Sequence, residues 1–234
     1  AQAVPGVAQV EAAGAGWSRR EFHLAASNGF EGGYARTSHG LSVGAIAGHG
    51  TGMERDWDYD SRIWAADLRP AAEIGRTAGE RAAERAGARK PPTGTFPILF
   101  DERVAASLVG HLLGAINGQA VARGSSFLRD ALGTAVLPAG MSLTEDPHRP
   151  RLPTSRLWDA EGLPTVPRAI VEDGRLLSWT LDLASGRRLG LPSTANAARS
   201  TGGTPFPSVT AVTLTQGTAS RGDLISAMGA GLLV

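Results

Sequence analysis

The stretch Asp56-Trp57-Asp58-Tyr59-Asp60 alternates acid and aromatic with a period of two. That is the mark of a half-buried strand. The expectation is that Trp57, Tyr59 and Ile63 form one face, and that Asp56, Asp58, Asp60 and Arg62 form a solvated one. The pattern then changes period. Asp67 is a helix cap, Pro70 sits in the first turn, and Ile74, Ala78, Ala82 and Ala86 recur every four residues. A small-residue stripe of this kind lets a helix lie close on a sheet. Glu73/Arg76, Arg76/Glu80 and Arg81/Glu84 are spaced for ion pairs on its outer side, each worth only a few tenths of a kcal/mol.

Working outward, Arg20-Glu-Phe-His-Leu24 also alternates. Asn28-Gly-Phe-Glu-Gly-Gly33 and Gly48-His-Gly-Thr-Gly52 are turn-rich, so the first sixty residues read as an antiparallel meander. Lys90-Pro-Pro-Thr-Gly94 closes the helix and marks a boundary. Beyond it Phe96-Pro-Ile-Leu-Phe100 is a short strand, and Asp101 starts a helix whose buried side is Val104, Leu108, Leu112 and Ile116. Phe127 to Val136 is expected to hold a second short helix, and Pro147 to Pro167 an extended loop. Ala169 to Thr180 reads as a hairpin turning at Glu172-Asp173-Gly174. The polar run Ser193 to Pro207 leads to a strand from Val209 to Thr215. Ser220 to Met228 is a short helix, and Leu232-Leu-Val234 a strand. The fold class is α+β: a sheet-rich domain with a packed helix over residues 1–90, then the first part of a mixed α/β domain over 91–234. Both ends read as cut, so the chain is expected to be part of a longer protein.

Composition removes several functions. There is no Cys, which rules out disulfides, thiol nucleophiles and cysteine-bound metals. The net charge of +1, from 23 basic and 22 acidic residues, supplies no field toward nucleic acid. Lys90 is the sole lysine, which reflects coding bias rather than a phosphate-binding need. No apolar run reaches membrane-spanning length, and the N-terminus has no signal-peptide pattern, so a cytoplasmic location is expected. His23, His39, His49, His111 and His148 include no pair at i, i+4, and His111 reads as a packed helix residue. Neither G-x-S-x-G nor a P-loop occurs. Gly110, Gly114 and Gly118 repeat every four residues, each costing about 1 kcal/mol relative to Ala in a helix interior. Close packing accounts for the row, or else it floors a cleft.

Several segments resemble the PmbA/TldD family, and its PmbA (TldE) branch in particular. They are Phe96-Pro-Ile-Leu-Phe-Asp101, Val104 to Gly118 and Ala122-Arg-Gly-Ser-Ser-Phe-Leu128. Asp159-x-Glu-Gly162 and Ser185-Gly-Arg-Arg-Leu-Gly-Leu-Pro-Ser-Thr194 follow in order. Glu54 to Tyr59 and Ile74 to Ala82 match in the front half. The resemblance implies a peptidase system in which a TldD-like partner carries zinc on an H-E-x-x-x-H helix and an unfolded peptide threads to it. In that register Val109, Gly110 and Gly114 stand where the metal-bearing branch has His, Glu and His. This chain would therefore hold no cofactor itself, with zinc in the partner. Its partners would be a TldD-like paralogue, or another copy of itself, and unfolded peptide, with no membrane and no nucleic acid. Gly110, Gly114, Gly118, Arg123, Ser125, Ser193, Thr194 and Asn196 are the candidate cleft residues, with no catalytic residue among them. The rival reading is an inactive peptide-binding or regulatory protein of the gyrase-modulator type.

Overall fold

A computed structural model describes residues 1–234, which divide into two compact units. The first comprises residues 1–23, 32–92 and 151–153; the second comprises 24–31, 93–150 and 154–234. The architecture is mixed, with antiparallel sheets and five helices, an α+β fold.

In the first unit, strands β1 (Val7–Ala25), β2 (Glu31–Ala47) and β3 (Glu54–Arg62) form a sheet in that order. β2 and β3 pair antiparallel from His39↔Arg62 to Ala47↔Glu54. Helix α1 (Ala71–Arg85) lies on this sheet through Ile74, Ala78 and Ala82, against Ala45 and Ala47. The expected stripe is thus real apart from Ala86, which is exposed at the C-cap. Asp67 does not cap α1: it pairs with Arg151 at 2.8 Å, and Pro70 is the N-cap.

The expected polarity of β3 is reversed. Asp56, Asp58 and Asp60 are 4%, 6% and 8% exposed, whereas Trp57 and Tyr59 are 51% and 55% exposed. Arginines explain the reversal. Arg85 reaches Asp56 at 3.1 Å, Arg81 and Arg69 reach Asp58 at 3.1 and 2.8 Å, and Arg62 reaches Asp60 at 3.0 Å. Alternate strand residues are about 6.6 Å apart and helix turns about 5.4 Å, so arginines one turn apart meet carboxylates two residues apart. Buried charges are tolerated only when paired, and the short alanines of α1 leave room for the guanidinium stems. Arg81 is therefore drawn to Asp58, and Glu73 pairs with Arg69 at 3.5 Å; of the three expected helix pairs Arg76–Glu80 forms, at 3.8 Å.

The second unit begins with β4 (Ile98–Leu99), paired in parallel with the C-terminal β11 (Leu232–Leu233). Helices α2 (Glu102–Ala115) and α3 (Gly118–Ala122) follow. Strands β5 (Leu143–Glu145), β6 (Arg168–Glu172), β7 (Arg175–Leu176) and β10 (Val212–Leu214) form a sheet ordered β10-β5-β6-β7. Helix α4 (Leu183–Leu189), the pair β8 (Ala197–Ala198) and β9 (Phe206–Pro207), and helix α5 (Arg221–Met228) complete it. Ile116, Leu143, Ile170, Val171 and Leu176 are wholly buried and form the core.

The turn at Glu172–Gly174 forms as read, with φ of 45° at Asp173 and 78° at Gly174, as a primed hairpin turn requires. The short helix expected over Phe127 to Val136 is absent. Gly133 N–H donates to Leu176 O and Leu176 N–H to Thr134 O, so the backbone is spent on β7 instead. Phe127 is left 83% exposed.

Candidate functional site

Helix α2 starts where the sequence says. The Asp101 side chain accepts from Arg103 N–H at 3.2 Å. Burial alone would raise this carboxyl, but its bonds to Arg103 and the charge of Arg221 hold it below its ordinary value. The helix turns Val109, Leu112, Leu113 and Ile116 onto the core. Leu108, expected inside, is 48% exposed, and His111 is exposed rather than packed. The apolar face is centred one residue further along than the four-residue stripe implies.

The glycine row has two environments. A Cβ at Gly110 or Gly114 would meet nothing within 4 Å, so no packing explains either glycine. At Gly118 a Cβ would lie 2.6 Å from Leu181 Cδ2, 2.7 Å from Ser185 Oγ and 2.8 Å from Thr180 O. Gly118 is therefore a packing glycine at the α3–α4 contact. Gly110 and Gly114 instead make a smooth, open helix face.

Ser193 and Thr194 bond Leu181, whose side chain abuts Gly118. Leu181 N–H donates to Thr194 Oγ1 at 2.8 Å, while Ser193 Oγ and Thr194 Oγ1 each donate to Leu181 O at 3.1 Å. Ala195 between them is buried in the left-handed region at φ 54°, a conformation costly to a residue with a Cβ. Asn196 is 3% exposed; its Nδ2 donates to Glu145 Oε1 at 2.8 Å, and its Oδ1 has no partner. Arg123 and Ser125 lie elsewhere, exposed after α3, with Ser125 Oγ donating to Ala120 O. The structure thus splits the eight residues into an open set, Gly110, Gly114, Arg123 and Ser125, and an interior set, Gly118, Ser193, Thr194 and Asn196.

The interior set borders a polar frame that sequence reading did not find. Glu145, 2% exposed, accepts from Arg168 Nε at 2.8 Å and from Thr210 N–H at 2.6 Å. Arg168 also donates to Ser178 Oγ, Trp179 O and Thr180 Oγ1. Burial lowers the Arg168 pKa, and Glu145 opposes that effect. Asp159 accepts from the N–H groups of Glu161, Leu163 and Ala197. Asp182 caps α4 with Ser185, and Glu161 accepts from Leu183 N–H at 2.8 Å. Burial, then the charges of Asp159 and Asp182, push the Glu161 carboxyl above its ordinary value. Of these residues, Asp159, Glu161 and Ser185 fall in segments that carried the family resemblance, whereas Glu145 and Arg168 fall in none.

The Ser185 hydroxyl serves the Asp182 cap and the Ser193 hydroxyl donates to Leu181 O. No group of three or more His, Asp or Glu side chains is placed to hold a metal ion, and no helix is long and apolar enough to cross a membrane. Fold and site together define a two-unit α+β protein whose second unit carries an open helix face and a buried, hydrogen-bonded polar frame.

Comparison with known proteins makes this specific. Residues 1–89 match the PmbA/TldA metallopeptidase central domain and residues 93–234 the PmbA/TldA metallopeptidase C-terminal domain. The chain belongs to the PmbA/TldD family. It is 40% identical over 171 residues to the metalloprotease PmbA of Escherichia coli O157:H7, covering 73% of this chain and 38% of that protein. It is 33% identical over 171 residues to a metalloprotease PmbA homolog of Haemophilus influenzae, with the same coverage. The chain therefore spans 38% of the length of these two relatives. A putative modulator of DNA gyrase from Bacteroides thetaiotaomicron superposes with a TM-score of 0.85 at 24% identity, covering 100% of this chain and 51% of that one. TldE from Thermococcus kodakarensis gives 0.83 at 22%, covering 95% and 50%. At these identities the two structures show the fold.

Proposed function

We propose that this chain is the non-zinc subunit of a TldD/TldE-type metallopeptidase complex, building part of the cleft that holds an unfolded peptide. The observation that carries the reading is the open Gly110/Gly114 face of α2. In register with the metal-bearing branch, Val109, Gly110 and Gly114 replace the two zinc ligands and the base, and none of the three has an atom that binds zinc or moves a proton. These three side chains do not fit a zinc ion. Zinc and its activated water belong to a TldD-like paralogue in the cytoplasm.

The helix face fits that role. Two unpacked glycines together cost α2 about 2 kcal/mol, and they leave room for another backbone to approach. The free edge of β10, terminal in its sheet, offers unpaired backbone groups in the same unit. An extended peptide held that way is read by its backbone and tolerated in many sequences.

The test is cleavage of an unstructured peptide by the full-length protein mixed with its H-E-x-x-x-H-bearing paralogue, each also run alone and with chelator. Chelator-sensitive cleavage that needs both chains is the expected result. A rate equal to that of the paralogue alone overturns the subunit role and leaves a peptide-binding or regulatory protein as the better account.

A further inference from the structure

The motif Asp159-x-Glu161-Gly162 carried part of the family resemblance, yet the open face of α2 does not include it. Buried Asp159 folds it into a tight loop, accepting from the N–H groups of Glu161 and Leu163 at 2.9 and 3.0 Å. Gly162 lies in the left-handed region at φ 79°, and a Cβ there would fall 2.5 Å from Phe30 Cγ and 2.7 Å from Phe30 Cβ. Glycine is therefore required twice, by the turn and by the side chain seated on it. Phe30 also packs on Trp158, with ring centroids 5.5 Å apart. The turn that carries Phe30 is closed on itself: Ala26 N–H donates to Phe30 O, Gly29 N–H to Ala26 O and Phe30 N–H to Asn28 Oδ1. Asn28 Nδ2 then donates to Glu161 O at 3.2 Å. All of these residues belong to the second unit.

The same loop serves α4. A helix leaves its first N–H groups without intrahelical acceptors. Asp182 Oδ1 takes the one from Ser185 at 2.7 Å, and Glu161 Oε2 takes the one from Leu183 at 2.8 Å. At seven residues α4 is too short to hold itself by propensity, so these two acceptors decide where it starts. Thr180, two residues before the cap, braces the end of α2. Its N–H donates to Ile116 O at 3.0 Å, and its carbonyl accepts from Gly118 N–H at 2.8 Å. We infer that Phe30 is a positioning residue: by seating the Asp159–Gly162 loop it holds Glu161 on Leu183, and so fixes the start of α4 and the Thr180 brace behind α2. The loop is a clamp, gripped by Phe30 at Gly162 and closed on α4 through Glu161.

Hydrogen exchange on the full-length protein, read by mass spectrometry, tests this without paralogue or peptide. Phe30→Ala should quicken exchange over residues 181–189 about tenfold, as the loss of a hydrogen bond to a charged acceptor would. Protection of the buried β6–β7 hairpin should stay unchanged, which separates a released clamp from general unfolding. Gly162→Ala, which displaces Phe30 from the other side, should give the same pattern. Phe30→Leu keeps Cβ, Cγ and Cδ1, the atoms that lie on Gly162, and should retain most of the protection. With Glu161→Ala already in place, Phe30→Ala should add little, because the link is cut. Unchanged exchange over 181–189 in Phe30→Ala, an equal rise in the β6–β7 hairpin, or the same tenfold increment on the Glu161→Ala background would each overturn the proposal. Its consequence for peptide rests on the peptide-holding reading of α2: mixed with the paralogue, Phe30→Ala should raise KM severalfold with kcat held. An inactive wild-type mixture would sink that reading and leave the exchange result to decide the clamp. A working mixture with KM unchanged would overturn the clamp's part in peptide binding.

Discussion

Replacing Glu145 by alanine would leave the Arg168 guanidinium, 12% exposed as a side chain, without its counter-charge. The carboxylate serves four donors: Arg168 Nε at 2.8 Å, Asn196 Nδ2 at 2.8 Å, Thr210 N–H at 2.6 Å and Thr210 Oγ1 at 3.1 Å. Breaking a buried ion pair from one side costs about 3–5 kcal/mol, because the remaining charge is stranded. With an m-value of about 2 kcal/mol per molar urea, the unfolding midpoint of the second unit should fall by about 2 M. Removing both charges as Glu145→Met with Arg168→Met should recover about half of that loss. Recovery stays partial because Asn196 Nδ2 and Thr210 N–H lose their acceptor, at about 1–3 kcal/mol for each group left unpaired. Urea titrations followed by tryptophan fluorescence would give all three values. A single-mutant cost below about 1 kcal/mol, or a double mutant no more stable than Glu145→Ala, would refute the idea that this pair organises the unit.

The glycine row makes a sharper contrast. Gly110→Ala and Gly114→Ala should each raise thermal stability by up to about 1 kcal/mol, while Gly118→Ala should lower it by about 1–3 kcal/mol through the clash with Leu181 and Thr180 O; calorimetry on the three variants checks the signs. Ala195→Gly should stabilise by about 1 kcal/mol, since glycine holds a left-handed φ without steric cost, measured in the same denaturant series. For Asp60, burial opposes ionisation, but bonds from Arg69 N–H and Arg62, with both guanidinium charges, hold its pKa below the ordinary value. Its stabilisation is therefore present above the unfolded-state pKa and lost as pH falls through the lower folded one. Asp60→Asn should flatten that acid limb of the stability curve. Glu161 has the opposite sign: with its pKa raised, its favourable contribution exists below the unfolded value and disappears as pH rises, so Glu161→Gln should remove a decline in stability above about pH 4.5.

Local patterns were legible in the sequence, and partners distant along the chain were not. The period of two at Asp56 to Asp60 gave the strand, and Asp173-Gly174 gave the hairpin turn, because both are set by neighbouring residues. Which face of β3 is buried could not be read from β3. It depends on Arg69, Arg81 and Arg85, whose reach onto the acid row outweighs burial of Trp57 and Tyr59. The Glu145–Arg168 pair joins strands β5 and β6, and neither residue stands in a pattern that names the other. The four-residue glycine spacing was plain, but only the placement of Leu181 and Ser185 distinguishes the packed Gly118 from the open Gly110 and Gly114.

The central claim is that the open face of α2 serves a peptide cut by a partner's zinc, and the most direct measurement puts bulk on that face. A Cβ at position 114 meets nothing within 4 Å, so Gly114→Leu is the variant of choice, with its fold checked by circular dichroism before its rate is read. The quantity to measure is the chelator-sensitive cleavage rate of the full-length variant mixed with its H-E-x-x-x-H-bearing paralogue, beside the wild-type mixture. The account predicts a rate cut about tenfold or more with the fold intact, as obstruction of a well-fitted site would give. An unchanged rate in the variant, alongside an active wild-type mixture, would contradict it.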